Sequence, residues 1–128
     1  MIDHIGIDIS DYERSKAFYK QALAPLNIEI IIEVPAEQTG RRAYLGMGKE
    51  GKAFFWFGEG NPAPSPIHMA FTAENRASVD AFYVAALAAG GKDKGAPGLR
   101  PLYHPTYYGA FIVDPDGNNL EAVCHGPS

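Results

Sequence analysis

Near the N terminus the chain alternates, with apolar Ile5, Ile7 and Ile9 interleaved by His4, Gly6 and Asp8. A period of two predicts a half-buried β-strand with one face on a core and the other open. From Ser15 onward the stripe becomes Phe18, Tyr19, Ala22, Leu23 and Leu26, a spacing near 3.6 that predicts an amphipathic helix. Ser10 and Glu13 stand at capping-box spacing, so Ser10 is the expected N-cap. Three further runs, 28–34, 42–47 and 53–57, read as strands separated by turn-rich segments containing Pro35, Gly40, Gly46, Gly48 and Gly51. The first half is therefore a βαβββ module.

The pattern then recurs. A shift of 64 residues lays HIGIDISDYERSKAFYKQALA (4–24) on HMAFTAENRASVDAFYVAALA (68–88) without a gap. Seven positions are identical: His4/His68, Ala17/Ala81, Phe18/Phe82, Tyr19/Tyr83, Ala22/Ala86, Leu23/Leu87 and Ala24/Ala88. Average usage gives about one or two. Two amphipathic helices resemble one another because each must bury a face, but that does not account for the matched histidine opening each strand, so duplication is the simpler explanation. In the second copy Ile67, Met69, Phe71 and Ala73 alternate with His68, Ala70 and Thr72, and Val79, Phe82, Tyr83, Ala86 and Leu87 form the helical stripe. A weak strand within 91–103, then strands at 107–113 and 119–123 around the turn Asp114-Pro115-Asp116-Gly117, complete a second βαβββ unit. The expected fold class is α+β: one domain over 1–128, with module 1 at 1–58, a proline-rich extended linker at 59–66 and module 2 at 67–128.

Composition narrows the function classes. A chain of 128 residues, 46% hydrophobic and 20% charged, can build one core without staples. A net charge of -4 with no local concentration of Lys or Arg argues against a nucleic-acid partner. The most apolar short run, 53–57, is far below the roughly 18 residues of a membrane span. A lone Cys124, and a start MIDHIGID without a basic region or apolar core, lead to the expectation of a cytoplasmic protein.

The chemistry collects on the open faces of the strands. A helix on the isoleucine face leaves His4 and His68 on the opposite face, and a pseudo-twofold axis between the copies can bring them together. Asn119, Glu121 and Val123 alternate with Leu120, Ala122 and Cys124, so Glu121 projects away from the apolar set and Cys124 does not join it. Two imidazoles and a carboxylate suit one divalent ion per chain (Fe, Mn, Zn or Ni) and leave coordination positions for water or substrate; the competing reading is three polar residues lining a wet cleft. His125 shares parity with Glu121, but four strand residues separate them by about 13 Å. The segment RPLYHPTYYG (100–109) reads as a substrate rim, with His104 and Tyr107 as candidate acid/base groups and Arg100 and Tyr103 as candidate pocket residues, against the alternative of loop packing. Phe55 and Phe57 are candidate pocket wall, with core as the alternative for the run 54–57. Asp114 and Asp116 read as turn formers rather than paired catalytic carboxylates, and Gly117 as the positive-φ residue of a tight hairpin.

HIGIDISDYERSKAFY, HMAFTA and YYGAFIVDPDGNNLEAV, in that order and spacing, resemble the vicinal oxygen chelate superfamily of glyoxalases, bleomycin-resistance proteins and extradiol dioxygenases over almost the whole chain. The resemblance implies curved mixed sheets around a central pocket, with His4, His68 and Glu121 at the ligand positions. It also implies a homodimer with shared sites, His4 from one chain and His68 plus Glu121 from the other. Glyoxalase I-like members usually add a Glu on the last strand of the first module. Here the 64-residue offset maps Glu121 onto Phe57, with Phe54, Phe55 and Trp56 beside it. The remaining set is more similar to extradiol dioxygenases and fosfomycin-modifying transferases, although dioxygenases typically contain more than two modules. Two classes of function follow. One is an enzyme whose metal acts as a Lewis acid on a small substrate with vicinal oxygens, with isomerase, lyase, transferase or oxygenase outcomes. The other is a metal-free binder of bleomycin-resistance type, holding a planar or cationic drug in an aromatic, acidic pocket.

Overall fold

Strand β1 (Ile5–Ile9), helix α1 (Tyr12–Leu23), β2 (Glu29–Val34), the short helix α2 (Ala36–Thr39), β3 (Tyr44–Lys49) and β4 (Lys52–Glu59) form the first module of the computed structural model, which describes residues 1–40 and 42–127. The second module runs β5 (His68–Thr72), α3 (Arg76–Ala88), β6 (Lys92–Leu99), β7 (Tyr108–Val113) and β8 (Asn119–Cys124). Each module makes a four-stranded mixed sheet, ordered β1-β4-β3-β2 in one and β5-β8-β7-β6 in the other. The first strand of each pairs parallel with the last, and the remaining pairs are antiparallel. This is the tandem α+β architecture that the repeat predicts.

Strand alternation sorts side chains as a period of two requires. Ile7, Ile9, Met69 and Phe71 are buried, while His4, Ala70 and Thr72 are exposed. In α1 the buried stripe is Tyr12, Ser15, Phe18, Tyr19, Ala22 and Leu23. Its N-cap differs from the expectation: Asp11, not Ser10, accepts the bond from Arg14 N–H at 3.0 Å. Ser10 instead bonds the side chain of Asp116 through both its amide and its hydroxyl. An Asx cap serves the helix as well as a Ser cap, which frees Ser10 to join the two modules.

One core spans both units. The Tyr19 ring lies 5.0 Å from Phe55, which lies 5.4 Å from Phe71 of the second module, and α1 packs on α3. Strand β6, expected only as weak, is an edge strand with register shifts on both sides of Gly95 and with Pro97 inside it. A proline and bulges are tolerated where one side of the strand has no ladder to complete. The turn 114–117 is closed by Gly117 N–H donating to Asp114 O at 3.0 Å, and Gly117 has φ 91°, as expected for a hairpin glycine. Asp114 Oδ1 accepts from the amides of Asp116 and Asn118 at 2.9 and 2.8 Å, and Asp114 Oδ2 accepts from the Tyr19 hydroxyl. Both aspartates are spent on structure.

Candidate functional site

Parity fixes the second module's open face. β5 and β8 pair with Ala70 opposite Glu121, and β7 and β8 pair with Phe111 opposite Glu121. Leu120, Ala122 and Cys124 point into the core, so Glu121 turns to the other side with His68 and Phe111. His68 Nε2 lies 2.8 Å from Glu121 Oε1, and the Tyr107 hydroxyl donates to Glu121 Oε2. The carboxylate is 1% exposed, whereas His68 remains open to solvent. A Cβ on Gly109 would come 3.2 Å from Glu121 Oε2 and 3.3 Å from the Tyr107 ring, so the glycine makes room for this bond. Burial, then the bond to Glu121, push the Tyr107 phenol well above its ordinary pKa.

His4 stands on the first module just before β1. Its Nδ1 is 2.7 Å from Asp3 Oδ1, and Lys52 Nζ reaches both Asp3 oxygens at 2.9 Å. The bonds from His4 and Lys52 hold the Asp3 carboxyl below its usual pKa. A carboxylate on Nδ1 orients the ring and leaves Nε2 turned away from Asp3. His4 and His68 border one cavity of about 540 Å³ with Ile5, Phe54 and Met69. Among the described residues of one chain, however, no three His, Cys, Asp or Glu side chains come together as a metal site.

The rim segment is a closed loop. Arg100 N–H donates to Tyr107 O at 2.7 Å across its neck. His104 Nε2 lies 2.5 Å from His125 Nδ1, and the Thr106 amide donates to His104 Nδ1 at 3.2 Å, so both nitrogens of His104 are engaged. His104 and His125 each contact the Tyr107 ring, at centroid distances of 5.3 and 5.2 Å, while Tyr103 packs on its edge at 4.9 Å. His125 thus pairs with His104 rather than with Glu121.

Phe55 and Phe57, expected in a pocket wall, have their side chains in the core, 0 and 1% exposed. Phe54 borders the cavity instead, and Trp56 faces out with Asp8, Arg42 and Tyr44. The reason is a register step. Gly6 pairs with Trp56 as Ala70 pairs with Glu121, so the counterpart of Glu121 in the first module is Trp56, not Phe57. The hydrophobic pattern leaves out Asp3 and Phe111. The available signals were the acid directly before His4 and the symmetry of positions 111 and 121 about the turn at 114–117.

Residues 1–122 match the family model for the glyoxalase/bleomycin resistance protein/dioxygenase superfamily. The chain belongs to this superfamily. A superfamily structure described as a glyoxalase/bleomycin resistance protein from Albidiferax ferrireducens T118 is 26% identical, with a TM-score of 0.72, over 97% of this chain and 98% of that one. Fold likeness extends to the fosfomycin resistance protein FosX from Listeria monocytogenes, complexed with Mn(II) and sulfate, at 18% identity, TM-score 0.70 and coverage of 97% and 91%. It extends also to a glyoxalase I mutant from Zea mays at 21% identity and TM-score 0.72, where 95% of this chain spans 46% of the maize chain. No curated protein sequence matches significantly. This is a vicinal oxygen chelate protein, and no helix among its described residues is long and apolar enough to cross a membrane.

Proposed function

We propose that this superfamily member is a divalent-metal enzyme acting on a small molecule with vicinal oxygens, built as a homodimer whose two sites each draw on both chains. His68 and Glu121 of one copy and His4 of the other would hold the ion. The carrying observation is the 2.8 Å approach of His68 Nε2 to Glu121 Oε1 on an open face. An imidazole nitrogen and a carboxylate oxygen this close could both reach one ion at the usual bond lengths of about 2.0–2.2 Å. Asp3 orients His4 as a ligand, yet among the described residues of one chain His4 does not join His68 and Glu121 in a cluster of three. Mn(II) in the FosX structure lends support by analogy of fold.

When bound, the ion would supply Lewis acidity to the substrate oxygens. The chain's own residues do the rest. Tyr107 holds Glu121 Oε2 and leaves Oε1 facing His68. Burial and the bond to Glu121 both favour its protonated form. His104 and His125 pack against the Tyr107 ring and hold it beside Glu121. A lone, buried Cys124 fits action in the cytoplasm.

One observation favours a second reading. Trp56 occupies the place that corresponds to Glu121 in the first module, with Tyr44 at 6.1 Å, an aromatic surface suited to a planar drug in a metal-free binder. Metal analysis separates the two. Protein from metal-supplemented growth is expected to carry about one ion per chain, and His4→Ala, His68→Ala and Glu121→Ala each to lose it. A metal-free wild type, or unchanged stoichiometry in all three folded variants, contradicts the enzyme reading.

A further inference from the structure

On the second module's open face lies a cation without a carboxylate partner. Arg14, Lys16, Arg42 and Lys52 pair with Asp116, Glu33, Asp8 and Asp3. Arg100 donates only to peptide carbonyls, Nη2 to Ala96 O at 2.8 Å and Nη1 to Leu99 O at 3.5 Å, and no acidic group among the described residues neutralises it. The backbone explains its direction. Arg100 and Tyr107 oppose each other at the neck of the rim loop, one step beyond the Leu99–Tyr108 pair and two beyond Gly98–Gly109. Opposed residues share a face, and a two-residue step returns to the same one, so Arg100 and Tyr107 stand on the side of Gly109, Phe111 and Glu121.

The guanidinium has a built seat. Its carbon lies 5.4 Å above the Phe111 ring, and Phe111 in turn lies 6.2 Å from His68. A Cβ on Gly95 would approach Arg100 Nη2 to 3.2 Å and Phe111 Cδ1 to 3.0 Å, and one on Gly98 would approach Nη1 to 3.1 Å. Two glycines at the bulged part of β6 thus let the guanidinium lie across the strand and over the ring. Stacking fixes its plane, and a planar fork of donors matches an oxyanion in bidentate fashion.

We propose that Arg100 is a specificity-determining residue that binds an oxyanion, carboxylate or phosphonate, carried by the substrate near its vicinal oxygens. This rests on the His68–Glu121 metal reading for where those oxygens sit. In a chain of net charge -4 the overall field repels anions, so recognition of an oxyanion needs local positive charge of the kind Arg100 supplies.

Lactate, malate and 2-hydroxy-3-phosphonopropanoate share one hydroxyl–carboxylate pair and differ in carrying a methyl, a second carboxylate or a phosphonate. Each is titrated calorimetrically into the full-length protein, first without added metal and then with Mn(II). Malate or the phosphonate is expected to bind about tenfold to a hundredfold tighter than lactate in both conditions, as a charge-assisted pair implies. The tighter of the two identifies the oxyanion. Arg100→Gln should erase the preference, and Arg100→Lys should keep part of it. Tightening of all three ligands by Mn(II), in wild type and Arg100→Gln alike, reports on the metal reading separately. A preference that depends on Arg100 but ignores Mn(II) leaves Arg100 in place and removes the metal. Malate and phosphonate binding no better than lactate, or a preference that survives in a folded Arg100→Gln variant, overturns the proposal.

Discussion

Tyr19 in α1 donates its hydroxyl hydrogen to Asp114, 95 residues away at the turn between β7 and β8. Both groups are buried, and the same carboxylate organises the turn through the amides of Asp116 and Asn118. Burial, then the charge of Asp114, push the Tyr19 phenol well above its ordinary pKa, so the hydroxyl keeps its proton and stays a donor. Ser10 and Arg14 add a second tie from the first module to Asp116. The turn at 114–117 is therefore a polar fastening between the two modules, added to the core that they share.

Tyr19→Phe keeps the ring packing and removes one donor from a buried carboxylate. Stability should fall by about 1–3 kcal/mol, measured by urea denaturation, with metal content per folded chain unchanged. An unaltered denaturation midpoint would show that the bond contributes nothing.

Gly117→Val forces a β-branched residue to φ 91° in that turn. The expected loss is at least about 1–2 kcal/mol, spread over the whole unfolding transition. A variant that keeps its thermal midpoint but loses ligand binding would reassign the aspartates from structure to chemistry.

The features legible in the sequence are those that strand and helix periods decide locally. His68 and Glu121 each face away from an apolar set, and their common face follows from counting by twos. The same rule fails where a register is set by chain length elsewhere. The offset between copies is 64 at Gly6 and Ala70 but 65 at Trp56 and Glu121, and a one-residue slip exchanges the faces. That slip sends Phe55 and Phe57 into the core and brings Trp56 out. The Ser10 cap is misread for a related reason: its partner Asp116 lies 106 residues away. The closed rim loop depends on bonds from Arg100 to Tyr107 and from His104 to His125, which no local pattern encodes.

Tyr107→Phe tests the positioning of Glu121. Without the hydroxyl, Oε2 loses its donor and the carboxylate can turn away from His68. Metal affinity should drop by about tenfold to a hundredfold while the fold persists, read by competition with a chelator. Equal affinity in wild type and variant would mean that the bond does not orient the ligand.

The proposed site is assembled from His4 of one copy and His68 with Glu121 of another. A His4→Ala chain and a Glu121→Ala chain, each unable to bind metal alone, can be unfolded together, refolded, and separated by two different affinity tags. In their heterodimer one site would carry both substitutions and the other none. The shared arrangement predicts recovery of about one ion per heterodimer, half the wild-type content. Confirmed heterodimers that bind no metal would contradict it.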